Sequence, residues 1–356
     1  MVHGRAMIPH NRPLITAEDR AAVDAVLGSG WLAQGPQVEA LEAGFVRRYG
    51  GGGACAVSSG TAALFLALKA LGIEAGAKVA VPTYACSALL NAINMAGAAP
   101  SVVDVMPDSF CLDPAALARQ AADAACVIAV HTYGAPANIA ALRQAGRKLI
   151  EDCCQSLGGA AEQGLLGKTG DAAVYSFYAT KIITGGQGGL VWSRDLAVSD
   201  AVRDYRQFDC RESYVPRFNL QMTDIQAALI NSQMSRLDAI RARRLAIAQT
   251  YLAALPAGLS VQSGVVDAGR MAYRFVVRAP DVANREALRQ HMQKAGVSCA
   301  VPIERYELLH RYLELDAADF PVAERLADTT LSLPIHPSLT DAQIAQVAST
   351  FGEFRP

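Results

Sequence analysis

From residue 53 to residue 153, short β-branched runs alternate with helix-forming stretches and almost nothing separates them, a pattern that few folds can absorb. "ACAVSSGTAALFLALKALGI" (54–73) reads as a strand, a turn at Ser58 to Gly60, and an apolar helix that stops at Gly72. Strands recur in "KVAVP" (78–82), "PSVVDV" (100–105), "ACVIAVH" (125–131) and "RKLIEDC" (147–153). Helical "ACSALLNAINMAG" (85–97), "DPAALARQAA" (113–122) and "ANIAALRQAG" (137–146) lie between them. Repeated βα units with β-branched cores require right-handed crossovers, so the expected fold class is α/β: a mostly parallel sheet covered by helices on both faces.

Upstream, "ITAEDRAAVDAVLGSG" (15–30) has Thr16 as a cap, acids in its first turn and a terminal glycine, the marks of a helix. Beyond Trp192 the character changes. Helices dominate to about Leu255, and "MTDIQAALINSQMSRLDAIRARRLAIAQTYLAAL" (222–255) reads as one long helix. "RMAYRFVVRA" (270–279), "NREALRQHMQKAG" (284–296) and "TDAQIAQVASTFG" (340–352) then suggest a smaller α+β unit. At 356 residues the chain exceeds the usual single-domain size. The expected division is a large domain over 1–250 and a small C-terminal domain over 251–356.

With 32 basic and 33 acidic residues the formal charge is -1, and the short "RARR" at 241–244 reads as a solvated helix face, so nucleic acid is not an expected partner. The N-terminus has no apolar stretch of signal-peptide length, and no membrane span is present in the sequence, so a cytoplasmic location is expected. Eight cysteines are scattered without metal-ligand spacing; most of them read as small buried apolar groups, and no metal is expected.

Ligands of open parallel sheets sit outside the carboxyl ends of the strands. Four places there carry suggestive chemistry. "SSGTAAL" puts Ser59, Gly60 and Thr61 at a helix start, where free amides favour an anion, although an ordinary capped helix looks the same. "LIEDCCQS" ends a strand with Glu151 and Asp152, followed by Gln155; a carboxylate there needs a cationic or hydrogen-bonding partner, and capping the next turn is the bland alternative. "VYSFYATKIITGGQGGLVWS" (174–193) sets Lys181 on a turn between apolar strands, with Ser176 before it and glycines at 185, 186, 188 and 189 after it. A lysine becomes an imine-forming nucleophile where its surroundings favour the neutral form; otherwise it is a surface cation. The fourth place is Asn219, just upstream of the long helix and by itself only a turn residue.

Two tempting motifs fail. "GLLGKTGD" has Glu162 where a phosphate loop of the Walker type needs glycine, and "GGQGG" precedes a strand, so it is no dinucleotide fingerprint. His131, ending a strand, reads as a satisfied buried histidine. Combined, the four places supply a phosphate grip, an acid for a ring nitrogen and a lysine for an aldehyde, which are the requirements of pyridoxal phosphate.

The segments "SGWLAQGPQVEALEAGF", "AVSSGTAALFLAL", "EDCCQSLGG", "SFYATK", "GGQGG", "FNLQMTDIQAAL" and "FPVAERLADTTLSLPIHPSLTD" resemble, in order along nearly the whole chain, the DegT/StrS family of fold type I aminotransferases. The resemblance implies that Lys181 holds pyridoxal 5'-phosphate through a Schiff base and shuttles protons. Asp152 would keep the pyridine nitrogen protonated, and Gln155 would touch the ring hydroxyl. Ser59, Gly60, Thr61 and Ser176 would surround the phosphate, Cys86 would pack on the cofactor, and Asn219 would reach the phosphate of a neighbouring subunit. It further implies a homodimer with shared active sites, an amino donor (usually glutamate), pyridoxamine 5'-phosphate as the intermediate form, and the keto group of a nucleotide-linked sugar as acceptor.

This chain departs from the family's pattern around the acceptor. Cys86, with Tyr84 two residues earlier, stands where an aromatic ring often stacks, Gln187 and Gln221 stand in place of Glu and Arg, and "CAVPIERYELLHRYL" lacks a His-Tyr/Phe-Pro pattern. A non-nucleotide ketone such as a cyclitol or antibiotic precursor is therefore an alternative acceptor. Lys181 argues against the dehydratase branch, which carries histidine there, and Lys181 with Asp152 argues against a non-catalytic cofactor-binding protein.

Overall fold

The computed structural model describes residues 7–143 and 146–356. Residues 1–6, the start of the N-terminus expected to carry no signal peptide, and residues 144 and 145, at the end of the helix expected over 137–146, lie outside the described residues. The strands are β1 (Gly53–Val57), β2 (Lys78–Pro82), β3 (Ala99–Val103), β4 (Cys126–Val130), β5 (Lys148–Asp152), β6 (Ala160–Ala161), β7 (Gly164–Leu165), β8 (Ala172–Ser176), β9 (Gly189–Ser193), β10 (Ser260–Val261), β11 (Phe275–Arg278) and β12 (Thr330–Leu333). Seven of them form one sheet in the order β1-β9-β8-β5-β4-β2-β3. Its interior pairs are parallel, and β9 runs antiparallel between β8 and β1. The carboxyl ends of β1, β2, β4, β5 and β8 therefore share one end of the sheet with the start of β9.

The helices are α1 (Ala17–Ser29), α2 (Pro36–Tyr49), α3 (Gly60–Ala70), α4 (Ala88–Met95), α5 (Pro114–Gln120), α6 (Ile139–Leu142), α7 (Leu196–Arg206), α8 (Asp224–Met234), α9 (Leu237–Ala253), α10 (Val282–Lys294), α11 (Leu309–Tyr312), α12 (Pro321–Thr329) and α13 (Asp341–Glu353). Local chemistry starts several of them. Thr16, Thr223 and Thr340 each form a reciprocal capping box, satisfying two otherwise orphaned amides per helix. No helix among the described residues is long and apolar enough to cross a membrane.

Two hydrophobic clusters support the site from either side. The sheet's own cluster includes Phe45, Tyr49, Tyr175, Phe177 and Trp192, whose rings meet edge to face, tilted or, for Phe45 and Tyr49, stacked. The second, on the antiparallel sheet β10-β11-β12, gathers Phe275, Val277, Leu288, Leu331, Val347 and Phe351. Helix α9 serves both, with Leu237 and Ile240 in the first and Ile247, Ala248 and Tyr251 in the second. Ile8 joins the second cluster and bridges Val297, so the N-terminal strap starts there and then crosses toward the sheet.

Two expectations need correction. The single helix over 222–255 is two, because Ser235 and Arg236 form a turn between α8 and α9. Arg236 leaves helical geometry at φ -111° and ψ 9°, and its guanidinium reaches the fully buried Asp19 of α1 at 2.6 Å and Thr16 at 2.9 Å. That charge-assisted contact, together with Leu237 packed on Gly158, sets the break that helix-forming residues alone would not produce. Nor is 241–244 a solvated face: Arg244 is buried, and its Nη1 donates to the carbonyls of Ala272, Tyr273 and Ile335.

Candidate active site

Lys181 follows β8 on a turn in which its own amide donates to the Tyr178 carbonyl. The turn is pinned from beneath. Buried Gln233 of α8 accepts from the Thr184 amide at 3.1 Å and donates to the Thr184 carbonyl at 2.9 Å, while Thr184 Oγ1 donates to the Phe177 carbonyl. The glycines have a steric purpose at Gly189, where a Cβ would fall 2.2 Å from the Ser59 carbonyl oxygen. Only glycine lets β9 begin this close to the start of α3.

Ser59 caps α3: its Oγ accepts from the Ala62 amide at 3.1 Å and its carbonyl from the Ala63 amide. Among the described residues, no protein acceptor meets the amides of Gly60 and Thr61 in the first turn, where a helix start can take an anion. A Cβ on Gly60 would lie 2.8 Å from Ser176 Cβ and 3.5 Å from Cys154 Sγ. The end of β8, the start of α3 and the residue pair after β5 therefore converge on one point.

At the end of β5, Asp152 and Glu151 face different neighbours. Asp152 Oδ1 accepts from the Cys154 amide at 2.9 Å. Gln155 Oε1 accepts from the Tyr133 amide at 2.8 Å, which orients the side chain and leaves Nε2 as its donor. Tyr133 itself is held at φ 55°, an uncommon conformation for a bulky residue, beside this contact. Glu151 is consumed internally: it accepts from the amides of Gly167 (2.8 Å), Thr169 (2.8 Å) and Gly170 (2.5 Å) and meets His131 Nε2 at 2.9 Å. His131 Nδ1 accepts from the Ala137 amide, so the imidazole is satisfied on both sides. His131, Glu151 and Cys153 lie close enough to suggest a metal site, but their hydrogen bonds explain the cluster as a strut under the 167–170 loop.

Lys181 Nζ lies 5.6 Å from the centroid of the Tyr273 ring. Burial pushes its ammonium down, but the Tyr273 phenol, Cys154 and Asp152 outweigh burial and raise it above the ordinary lysine value. The Lys181 turn thus faces a phenol, a thiol and a carboxylate rather than an apolar wall. Tyr273, Cys154 and Arg274 are neighbours the sequence did not nominate; only the antiparallel sheet brings 273 and 274 to this place.

The remaining candidates differ in exposure. Cys86 is exposed, its Sγ accepting from the Ala88 amide at 3.4 Å, whereas Tyr84 is fully buried with its hydroxyl 3.0 Å from Thr330 Oγ1 and is not available to stack on a ligand. Asn219 is exposed on a segment whose Leu220 carbonyl accepts from the Ser58 amide at 2.8 Å, so it borders the α3 start. Gln187 is exposed and Gln221 half-buried on the same rim. A cleft of about 690 Å³ lined by Lys148, Asp171 and Ser193 lies at the opposite end of the sheet and shares none of these groups.

Pyridoxal phosphate fits this set. The cradle that a Cβ on Gly60 would fill, beside two unpartnered amides and the Ser176 hydroxyl, suits a phosphate; the Asp152 carboxylate suits a protonated ring nitrogen.

Residues 13–352 match the DegT/DnrJ/EryC1/StrS aminotransferase family. The chain is 35% identical over 341 residues to the erythromycin biosynthesis sensory transduction protein EryC1 of Saccharopolyspora erythraea, covering 91% of this chain and 92% of that protein. It is 32% identical to the spore coat polysaccharide biosynthesis protein SpsC of Bacillus subtilis, covering 96% and 95%. DesV of S. venezuelae, solved in complex with a ketimine intermediate, superposes with a TM-score of 0.88 at 29% identity, covering 98% of this chain and 100% of that one. The chain belongs to the DegT/DnrJ/EryC1/StrS aminotransferase family, whose cofactor is pyridoxal phosphate.

Proposed function

We propose that this aminotransferase moves an amino group from glutamate to the keto group of a nucleotide-linked sugar, in polysaccharide or secondary-metabolite biosynthesis. The observation that carries the reading is the convergence of Lys181, Asp152 and the α3 start at the carboxyl ends of β5 and β8 in a chain of this family. The names of EryC1 and SpsC, which refer to antibiotic and polysaccharide biosynthesis, support the two settings.

Bound pyridoxal phosphate supplies an electron sink that stabilises negative charge as the α-proton of an amine departs. The chain's residues do the rest in this reading. Gly60 and Thr61 amides with the Ser176 hydroxyl bind the phosphate, Ser59 fixing them by capping the helix. Asp152 holds a proton on the ring nitrogen, and Gln155, oriented by the Tyr133 amide, donates Nε2 toward the ring hydroxyl. Cys86 packs on the cofactor from the exposed side. Lys181 carries a proton from the donor's α-carbon and later returns one to the acceptor's, so a second base is not needed. Asn219, exposed beside the α3 start, would serve the phosphate of a second subunit in a homodimer with shared sites. The division at residue 250 is part of the same reading; it falls within α9, which packs in both hydrophobic clusters.

An acceptor without a nucleotide is the second reading, favoured by exposed Cys86 and Gln187 and half-buried Gln221, where the family's pattern differs. The test is spectroscopic. Purified protein is titrated with pyridoxal phosphate and then with glutamate, followed by nucleotide-linked keto sugars and free keto cyclitols. A cofactor band that Lys181→Ala abolishes, that glutamate converts to the pyridoxamine form and that a nucleotide-linked keto sugar restores is the expected result. Restoration by free cyclitols alone selects the second reading, and a band that glutamate leaves unchanged refutes glutamate as donor.

A further inference from the structure

At the end of the sheet away from Lys181, the cleft of about 690 Å³ gathers the cations Arg143, Lys148, Lys168 and Arg194. They come from the end of α6, the first residue of β5, the loop before β8 and the residue after β9, so only the fold brings them together. The two acids of the lining, Asp171 and Asp195, have internal duties. Asp171 Oδ2 accepts from the Leu149 amide at 2.7 Å, and Asp195 Oδ1 caps α7 by accepting from the Ala197 amide at 3.0 Å.

The cations are left without a shared acid. Among the described residues, Arg143 has one long contact with Asp171, at 4.0 Å, while Lys148, Lys168 and Arg194 meet no carboxylate. Arg143 donates instead to the Thr169 carbonyl and Arg194 to the Lys168 carbonyl, which holds both guanidinium groups against the 167–170 loop. Elsewhere in the molecule, cations cluster around a common carboxylate: Arg203 and Arg206 on Glu42, and Arg305 and Arg311 on Glu324. A chain with a formal charge of -1 thus sets four cations around one concavity with no acid to neutralise them jointly. Helix α7 starts at this cleft and α3 ends there, so their dipoles oppose and the charged side chains set the field. The amides of Thr169 and Gly170 already serve Glu151, so an incoming anion is left side chains to bind. Beside the cations the wall is apolar, formed by Leu71, Ala197 and Val198.

We propose that this cleft binds a nucleoside diphosphate, with Lys148, Lys168 and Arg194 on the phosphates and the Leu71, Ala197 and Val198 wall against the base. Pockets of about 300–1,000 Å³ suit a ligand of this size, and cations beside an apolar wall suit a molecule with one polyanionic and one flat, weakly polar end. A bounded concavity, unlike a stripe of charge, does not track a nucleic-acid backbone. The site shares no group with the Lys181 end, so the inference goes beyond the proposed reaction and does not depend on it.

The test uses protein saturated with pyridoxal phosphate, so that the α3 start is already filled. Calorimetry would titrate ADP and inorganic diphosphate separately into wild type, Lys148→Gln and Lys148→Gln/Lys168→Gln, and hydrogen exchange would locate the ADP. Lys148 is exposed and Lys168 half-buried, so both variants keep the fold. ADP should bind wild type more tightly than inorganic diphosphate and slow exchange at 168–171 and 194–198. Its affinity should fall about fivefold in the single variant and about 25-fold in the double one. No ADP heat in wild type, or an affinity unchanged in the double variant, overturns the proposal. So does slowed exchange confined to the Lys181 turn and the α3 start, which assigns the nucleotide to the acceptor site. Inorganic diphosphate binding as tightly as ADP overturns it as well, because the apolar wall then contributes nothing. No turnover is read, so failure here leaves the proposed amino transfer standing.

Discussion

Two clusters of backbone amides in this molecule are shaped to hold an anion, and they differ in where the anion comes from. In the 167–170 loop, the amides of Gly167, Thr169 and Gly170 close on the carboxylate of Glu151, a residue of the same chain. At the start of α3, the amides of Gly60 and Thr61 have a serine cap behind them and, among the described residues, no acid of the chain in front. The first is structural and the second is open to a ligand. The contrast also inverts the sequence impression, since the loop contains the phosphate-binding look-alike "GKTG" while the site begins with the plain "SSGT". What separates them is the side chain each is given by the end of β5: Glu151 turns toward the loop, and Asp152 stands near Cys154 and Lys181.

The contrast can be broken hardest at the open end. Lys181→Ala should reduce turnover by at least about 10³-fold while leaving the fold intact, because the group that carries the proton is removed without emptying a packed core. Stopped-flow absorbance and circular dichroism on the same sample check both halves. At the closed end, Glu151→Ala should cost about 3–5 kcal/mol of stability, since the buried Gly167 amide, the half-buried amides of Thr169 and Gly170, and buried His131 lose their shared acceptor. Denaturant unfolding measures it, and an unfolding midpoint equal to wild type would show that the 167–170 amides need no internal anion.

A gentler change at the open end sharpens the difference. In Gly60→Ala the new Cβ meets Ser176 at 2.8 Å, a crowding cost of about 1–3 kcal/mol, partly offset by up to about 1 kcal/mol of helix propensity. Stability should therefore fall by no more than about 3 kcal/mol, less than for Glu151→Ala, while cofactor affinity falls about tenfold because the phosphate cradle is filled. Fluorescence titration with pyridoxal phosphate gives the second quantity. An affinity equal to wild type removes the α3 start from the phosphate site.

The smallest effect is a pH dependence. Burial raises the Glu151 carboxyl, but His131 and the Gly170 and Gly167 amides outweigh it and hold the group below the ordinary glutamate value. A depressed folded value means the stabilisation is fully present above about pH 4.5, the unfolded value, and is lost as pH falls through the lower folded one. Glu151→Gln, which keeps the shape without the charge, should flatten the acid limb of the stability curve. An acid limb identical to wild type would assign the loss to other carboxylates.

Much of the site was legible in the sequence because its residues follow strands directly, and a parallel sheet places everything after its strands at one end. Asp152, Ser176 and Lys181 needed only the strand ends to be located, and Gly60 only the helix start. Glu151 could not be told from Asp152, since neighbouring residues on a strand face opposite sides and their partners come from elsewhere in the chain. Tyr273 and Arg274 were invisible for a different reason. Their segment reads as a strand in its own right, and nothing local says that this strand's start packs against a turn about 90 residues earlier. The split between α8 and α9 belongs here too, because Asp19 decides it from a helix some 200 residues away.

The sequence alone determined the layered α/β sheet, the cap at Ser59 and the order of the chemical groups, because periodicity, β-branching and capping act within a few residues. Tertiary structure alone decided which partners Glu151 and Asp152 meet, why Arg244 is buried, and that Tyr273 and Cys154 stand beside Lys181. Those outcomes depend on desolvation and on charges brought together across the chain, and neither quantity exists until the chain has folded.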